Sequence, residues 1–451
     1  MGPGNGARGP IPARGRRGAT PRLPPFPPRS ASSPTALRWR GSPQHPLAGS
    51  WGDLRGFGPA PLLRHEGPPL SSEAWPGYVR PRELPAPLRA ILVIALLYVF
   101  LVGVATLESG IAALGAGFQE ALLAQVSNPV SGLSAGILAT VLVQSSSVST
   151  ATIVGLVGAG TLGVPEAVPM IMGANIGTTV TNTLAALGNI RRSEEFRRGF
   201  AGATMHDMFN LLAVVIILPL ELVTGIVSRV ALALTGVLRG TEIDVVPGPS
   251  PIRRAVRLPV ELLEQVIDPE TIGRVAGVLL LVVGLGLIFL ALGFITRNMR
   301  RLIAGALERS MNRVIGRGGG AIGILLGIVV TFLVQSSTIT TSILVPLVAA
   351  GILTLPNAYP ITLGANVGTT ITALLASLAV LRPEGLTIAL VHTLFNLLAL
   401  AILYPVPKLR LVPVRAAEWL ADQAVSHRSI VAVYVLGLFI LLPVLGIVLL
   451  D

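Results

Sequence analysis

Two stretches of this chain place amides and hydroxyls where oil is expected. Residues 144–152 read QSSSVSTAT and follow PVSGLSAGILATVLV, which carries no charge. Residues 335–342 read QSSTITTS after an equally apolar run. The first cluster holds Gln144, Ser145, Ser146, Ser147, Ser149, Thr150 and Thr152; the second holds Gln335, Ser336, Ser337, Thr338, Thr340, Thr341 and Ser342. A single Ser or Thr in an apolar helix bonds its own backbone and means little. Clusters this dense fit a helix that unwinds and lines a cavity. A second pair of segments, GANIGTTVTNT (Gly173–Thr183) and GANVGTTIT (Gly364–Thr372), adds Asn175, Thr178, Thr179, Asn366, Thr369 and Thr370. Their glycines permit non-helical dihedrals or close backbone approach. Each half of the chain is expected to contain two interrupted segments at matching depth, the pattern of a binding site at a bilayer midplane.

Amide and hydroxyl oxygens, with carbonyls freed by the breaks, suit a hard cation such as Na+. Half-helix N-termini suit an anion, above all a tetrahedral oxyanion, to which hydroxyls also donate. No Arg or Lys lies inside the broken segments. Anion charge must then be balanced by dipoles and co-bound cations, so each ligand helps the other bind. Asp207, beside His206, is the prominent ionisable group in an apolar helix and a candidate functional site by that fact alone. The matching residue of the second half is Thr393, so the fold does not require the carboxylate. His206 and His392 read as structural hydrogen bonders. Asn210 and Asn396 fit either interhelix bonding or ion ligation. A membrane serine hydrolase, with Ser145 or Ser336 as nucleophile and a histidine as base, would need a nucleophile elbow that neither motif has.

The elements that carry these residues are membrane helices. Of 451 residues, 52% are hydrophobic and 12% charged, and the mean hydropathy is +0.73. Apolar runs near 90–107, 208–220, 275–295, 386–405 and 429–450 can each span a bilayer core of ~30 Å. The expected fold class is an all-α polytopic membrane protein. With no cysteine, disulfides and Cys-ligated metals are excluded. The net charge of +12 sits mostly in residues 1–89, with thirteen Arg against four acidic residues. Residues 1–87, rich in Pro and Arg, are expected to be a disordered cytoplasmic tail without a signal-peptide core. A nucleic-acid-binding arm is the lesser reading. A single Lys against 33 Arg reflects base composition rather than phosphate contacts.

The motifs are parts of a duplication. Residues 144–190 match 335–381 at a constant offset of 191, and HDMFNLLAVVIIL from His206 answers HTLFNLLALAILY from His392. Two copies of a unit of about 150 residues flank a linker at 240–270: the first spans 88–239, and the second, together with a C-terminal helix, spans 271–451. Flanking charge reverses between them. Arg80, Arg82 and Arg89 precede the first unit, whereas Glu261, Glu264, Asp268 and Glu270 precede the second. Arg191, Arg192, Arg197 and Arg198 follow the first GAN segment, but only Arg382 follows the second. Because cytoplasmic flanks carry the excess of Arg, the units are expected to be inverted, with the N-terminus cytoplasmic and the linker outside. Crossing parity makes 129–162 a re-entrant hairpin with QSSS near its tip and 165–188 a crossing segment. The stretch 221–239 is expected to lie along the surface.

The duplicated QSSS and QSST motifs, GANIGTTVTNT, and EFRRGFAGATMHDMFNLLAVVIILPLE (195–221) resemble the type II sodium-dependent phosphate cotransporter family over about 88–450. That resemblance implies sodium-driven symport of inorganic phosphate across the plasma membrane, with no cofactor beyond the transported Na+. It implies two inverted repeats with helical hairpins and substrate between the motifs. By the same resemblance Gln144, Ser145, Ser146, Ser147, Gln335, Ser336, Ser337 and Thr338 line the phosphate and sodium sites. Asp207 stands where electrogenic members carry an Asp and electroneutral ones a Gly. Thr338 departs from the usual third Ser but keeps the hydroxyl. The short linker without cysteine is similar to that of bacterial members. Oxygen ligands for sodium are expected among Gln144, Ser149, Thr150, Asn175, Thr178, Thr179, Asp207, Asn210, Gln335, Thr340, Thr341, Asn366, Thr369, Thr370 and Asn396. Symport of another anion, such as sulfate or a dicarboxylate, and an ion channel are the alternative readings.

Overall fold

A computed structural model of the chain describes residues 85–240, 251–267, 272–315 and 320–449. Of the tail expected at 1–87, residues 1–84 lie outside the described residues, and its last two belong to the first helix. Every regular element among those described is helical. Among the described residues, five helices are long and apolar enough to cross a membrane: residues 87–113, 193–224, 274–299, 383–403 and 429–448.

The first repeat begins with α1 (Ala86–Ala113) and a short α2 (Ala116–Val126). The broken region follows as α3 (Pro129–Val143), α4 (Ser146–Gly158), α5 (Val164–Gly177) and α6 (Val180–Ala186). It closes with α7 (Ser193–Thr224) and α8 (Ile226–Gly240). The helix α9 (Pro251–Ile267) occupies much of the segment between the repeats. The second repeat runs through α10 (Arg274–Ile315), α11 (Gly320–Val334), α12 (Ser337–Ala349), α13 (Leu355–Ser377) and α14 (Pro383–Leu403). After α15 (Pro407–Arg410) and α16 (Val412–Ser426) comes the last span. It consists of α17 (Ser429–Leu436), a widened π turn (Gly437–Leu441) and α18 (Leu442–Val448). Proline stands in the first turn of α1, α3, α5, α13 and α14, where its missing N–H costs nothing and its fixed φ already suits a helix.

The inversion is visible in how α1 meets its counterpart α10. Gly103 lies against Leu287 and Ile288, Gly110 against Leu281, and Gly277 against Ala113 and Leu114. Residue numbers rise on one helix as they fall on the other, so equivalent helices run antiparallel. A parallel duplication would have set them parallel.

The hairpin follows from the same kind of contact. Gly132 faces Glu166 and Pro169, Gly136 faces Met170, and Gly177 faces Ile137 and Thr140. Helices α3 and α5 therefore run parallel and level, and α4 must carry the chain back between them. This makes α3–α4 a re-entrant hairpin, with its tip at Gln144–Ser145. The α2–α3 pair is bent by 105° at its entrance. In the second repeat Gly327 faces Ile361, Gly364 faces Ile324 and Ile328, and Gly368 faces Ile328 and Thr331. Each of these pairs is displaced by 191 residues from one in the first repeat.

One expectation needs correction. The GAN segment of the first repeat is interrupted between α5 and α6, but that of the second lies inside the continuous helix α13. Its glycines serve close approach rather than unwinding: a Cβ at Gly364 would overlap the carbonyl oxygen of Ile324. The stretch 221–239 also differs from a simple surface helix. Glu221 accepts from the backbone N–H of Val227 (2.7 Å) and Ser228 (3.2 Å), capping the start of α8. Along α8, Leu232 and Val237 face outward while Thr235 bonds Thr387 of α14 at 3.0 Å.

Candidate functional site

Each hairpin turns on a glutamine. Gln144 and Gln335 are the only non-glycine residues with positive φ among those described, both at 57°. The left-handed step ends α3 and α11 and lets the chain double back. Each side-chain amide then ties the tip in place. The Nε2 groups of Gln144 and Gln335 donate to the carbonyls of Val141 and Phe332, both at 2.5 Å. The Oε1 atoms accept from Thr181 at 2.6 Å and Thr372 at 2.8 Å. The amides thus complete the ends of α3 and α11 and bind each tip to the neighbouring crossing helix. One lone pair on each Oε1 is left over.

The next residue starts the return helix. Ser145 and Ser336 are N-caps, accepting from Val148 N–H at 3.3 Å and Ile339 N–H at 3.4 Å. The N–H groups of Ser146, Ser147, Ser337 and Thr338 then have no intrahelical acceptor. Helices α4 and α12 direct their positive ends at the tips. The tips meet: Ser147 donates to the Gln335 carbonyl at 3.2 Å.

The hydroxyls fall into two groups by where their hydrogens go. Ser149, Thr150, Thr178, Thr179, Thr340, Thr341, Thr369 and Thr370 donate to carbonyls three or four residues back in their own helices. Such oxygens offer lone pairs only. Among the described residues the hydroxyls of Ser146, Ser337 and Thr338 make no side-chain hydrogen bond of their own, Ser337 and Thr338 accepting only through their backbone carbonyls, and all three are free to donate.

Between the GAN segments the repeats are stitched by amides. His206 Nε2 donates to Asn366 Oδ1 (2.5 Å), Asn366 to Asn210 Oδ1 (2.6 Å), and Asn210 to the Asn175 carbonyl (2.7 Å). Asn396 donates to Asn175 Oδ1 at 3.4 Å. Asn210 and Asn396 thus both take part in bonds between the repeats. His206 bonds Asn366, and His392 has its Nδ1 unpartnered and no bond to a serine, so among the described residues neither repeat presents the base–nucleophile pair of a hydrolase.

Asp207 is fully buried on α7. Its Oδ2 accepts from Tyr434 at 2.6 Å and Thr183 at 3.2 Å, while Oδ1 has no partner. It is not paired with His206 or Arg198.

Several participants were not singled out in the sequence. Thr181 and Thr372 occupy equivalent positions in the duplication, a signal that could have revealed them. Asn182, which donates to Thr341 at 2.5 Å, faces Ala373 in the alignment and gave no such signal. Tyr434 lies on the C-terminal span, beyond the part of the second repeat that the duplication matches. The tips differ in exposure: Gln144 is exposed, Gln335 only 5% so. Two clefts lie at the far ends of the hairpins and contain no motif residue. One, of about 910 Å³, is lined by Glu108, Arg257 and Arg382; the other, of about 310 Å³, by Arg197, Arg198 and Glu418.

Comparison with known proteins agrees with this architecture. The Na+/Pi-cotransporter family profile matches residues 99–236 and 287–405. The chain is 34% identical to sodium-dependent phosphate transport protein 2A of Ovis aries over 427 residues, covering 79% of this chain and 67% of that protein. It is 30% identical to sodium-dependent phosphate transport protein 2B of Homo sapiens over 447 residues, covering 79% and 64%. No solved structure matches. With matched halves, paired hairpins and relatives of this kind, the chain belongs to the Na+/Pi-cotransporter family.

Proposed function

We propose that the protein is a sodium-coupled symporter of inorganic phosphate that works by alternating access. The observation that carries this reading is the meeting of the two tips, where the Ser147–Gln335 contact brings two half-helix N-termini together. Family membership and the relatives' names support the choice of ions. Phosphate sits between the tips, held by the free hydroxyls of Ser146, Ser337 and Thr338 and by backbone N–H groups of the first turns. Ser145 and Ser336 shape those turns. Ser147 and the two glutamines hold the tips in register.

Sodium takes the oxygens that have lone pairs but no hydrogen to give. These are the spare Oε1 sites of Gln144 and Gln335 and the hydroxyls of Ser149, Thr150, Thr178, Thr179, Thr340, Thr341, Thr369 and Thr370. The amide oxygens of Asn175, Asn210, Asn366 and Asn396 and the carboxylate of Asp207 complete the set. A net inward charge follows from Asp207, which makes transport electrogenic. The excess of arginine on its flanks supports an N-terminus on the cytoplasmic side of the membrane, taken as the plasma membrane, with the 240–270 segment outside. Residues 88–239 and 271–451 form the two moving units, after an N-terminal tail of 1–87.

Purified protein in liposomes with an imposed sodium gradient should accumulate labelled phosphate. Uptake indifferent to sodium would refute the coupling. Stronger competition by sulfate or succinate than by phosphate would reassign the anion, and conductance above carrier turnover would make the protein a channel.

A further inference from the structure

The last membrane span has no counterpart in the duplication, yet it reaches the buried carboxylate of the first repeat. Tyr434 on α17 donates its hydroxyl to Asp207 Oδ2 at 2.6 Å. Its ring is clamped edge-on between Phe200 of α7 (6.4 Å between centroids) and Phe439 (5.9 Å). Phe439 lies in the π turn, five residues beyond Tyr434. In a regular α-helix, side chains five apart point ~140° away from each other. A turn widened toward i→i+5 bonding brings them to one side. The bulge thus serves to fix the tyrosine.

The carboxylate is left asymmetric. Thr183 and Tyr434 both occupy Oδ2, and Oδ1 is buried without a partner. Thr179, whose hydroxyl donates to the Ile176 carbonyl at 2.8 Å, lies within reach of the same carboxylate and can turn to donate to it. A buried anionic oxygen without a partner, with a hydroxyl oxygen beside it, is a donor set for a small cation.

We propose that Tyr434 is a positioning residue for this cation site: by holding Oδ2 it turns Oδ1 toward the bound sodium and raises the affinity there. The proposal rests on Asp207 being a sodium ligand. It gives the last span a share in sodium coupling at the repeat that carries the carboxylate; the second repeat has Thr393 at that position, its hydroxyl donating to the Ala389 carbonyl at 3.1 Å.

The test measures sodium activation of phosphate uptake in proteoliposomes for wild type, Tyr434→Phe, Asp207→Gly and the double variant. Phenylalanine keeps the ring contacts and removes only the hydroxyl. Tyr434→Phe should raise the sodium concentration for half-maximal uptake about tenfold, with the maximal rate at saturating sodium retained. In the Asp207→Gly background the same substitution should change nothing further. An equal rise in both backgrounds would mark a packing effect and overturn the proposal. No rise in Tyr434→Phe, with sodium activation altered in Asp207→Gly, would overturn the role of Tyr434 alone. Unaltered activation in Asp207→Gly would overturn the Asp207 reading beneath it.

Discussion

The hydroxyl of Ser147 donates to the backbone carbonyl of Gln335 at 3.2 Å, so the tip of one repeat is bonded to the tip of the other. Offset by 191, the counterpart of this pair is Thr338 with Gln144, and among the described residues the Thr338 side chain makes no bond to the Gln144 carbonyl. The inverted repeats therefore contain a second, unused version of the same bond. In the state with access exchanged, Thr338 should donate to the Gln144 carbonyl. Ser147→Ala should then shift the resting population toward that state. Deuterium labelling of the backbone N–H groups reads both tips without replacing either glutamine. The tip around the exposed Gln144 should label faster than the tip around the buried Gln335, and Ser147→Ala should narrow the difference. An unchanged labelling ratio would detach the contact from the access equilibrium.

Gln144→Ala and Gln335→Ala should each abolish sodium-driven uptake. Either change removes the two bonds that fix a tip, to Val141 and Thr181 or to Phe332 and Thr372. Folded protein should still reach the membrane, as read by size-exclusion chromatography in detergent. Normal uptake in both variants would refute the assignment of the tips.

The two groups of hydroxyls should separate kinetically. Ser146→Ala or Ser337→Ala removes a free donor to the anion, a bond to a charged group worth ~1.5–3 kcal/mol. Half-saturation by phosphate should rise tenfold or more at saturating sodium. Thr178→Val or Thr369→Val removes a lone-pair oxygen of nearly equal shape. There the sodium dependence should shift and the phosphate dependence at saturating sodium should not. Identical shifts in both series would collapse the distinction.

Asp207→Gly should abolish the inward current that accompanies uptake while some phosphate transport persists. Voltage-clamped cells expressing the variant, with labelled phosphate counted in parallel, provide the comparison. Current surviving in proportion to uptake would assign the net charge to another group.

Gly173→Val and Gly364→Val should each prevent stable folding rather than weaken a ligand. A side chain there would overlap the carbonyl oxygens of Leu133 and Ile324, on the seam between the hairpin and its crossing helix. Overpacking of this kind costs ~1–3 kcal/mol or more, visible as a lower melting temperature in detergent. Wild-type stability would show the seam to be looser than it is here.

The helical hairpin was legible in the sequence because parity and charge are sums over segments, insensitive to local detail. Duplication made the tips legible, since Gln144 and Gln335 keep one role at one offset. The continuous course of α13 was not legible. GANVGTT and GANIGTT differ by one methylene, and whether such a stretch breaks is decided by what packs beside it. Tyr434 was invisible for a different reason: its partner is 227 residues away, and no second copy of the span exists for comparison. The bonds between Asn366, Asn210 and Asn175 likewise join residues that spacing alone leaves ambiguous.

The glutamines at the tips show folding and transport asking for different residues at one position. A left-handed backbone step is cheapest for glycine and costs another L-residue ~1–2 kcal/mol. The chain accepts that cost twice, at Gln144 and Gln335. Gln→Gly should therefore relax the turn yet release the tip, giving protein whose hairpin backbone is less strained and whose function is lost. In a library selected for thermal endurance alone, these two codons would be expected to drift toward glycine, and a sample enriched in such variants would be sturdier and silent.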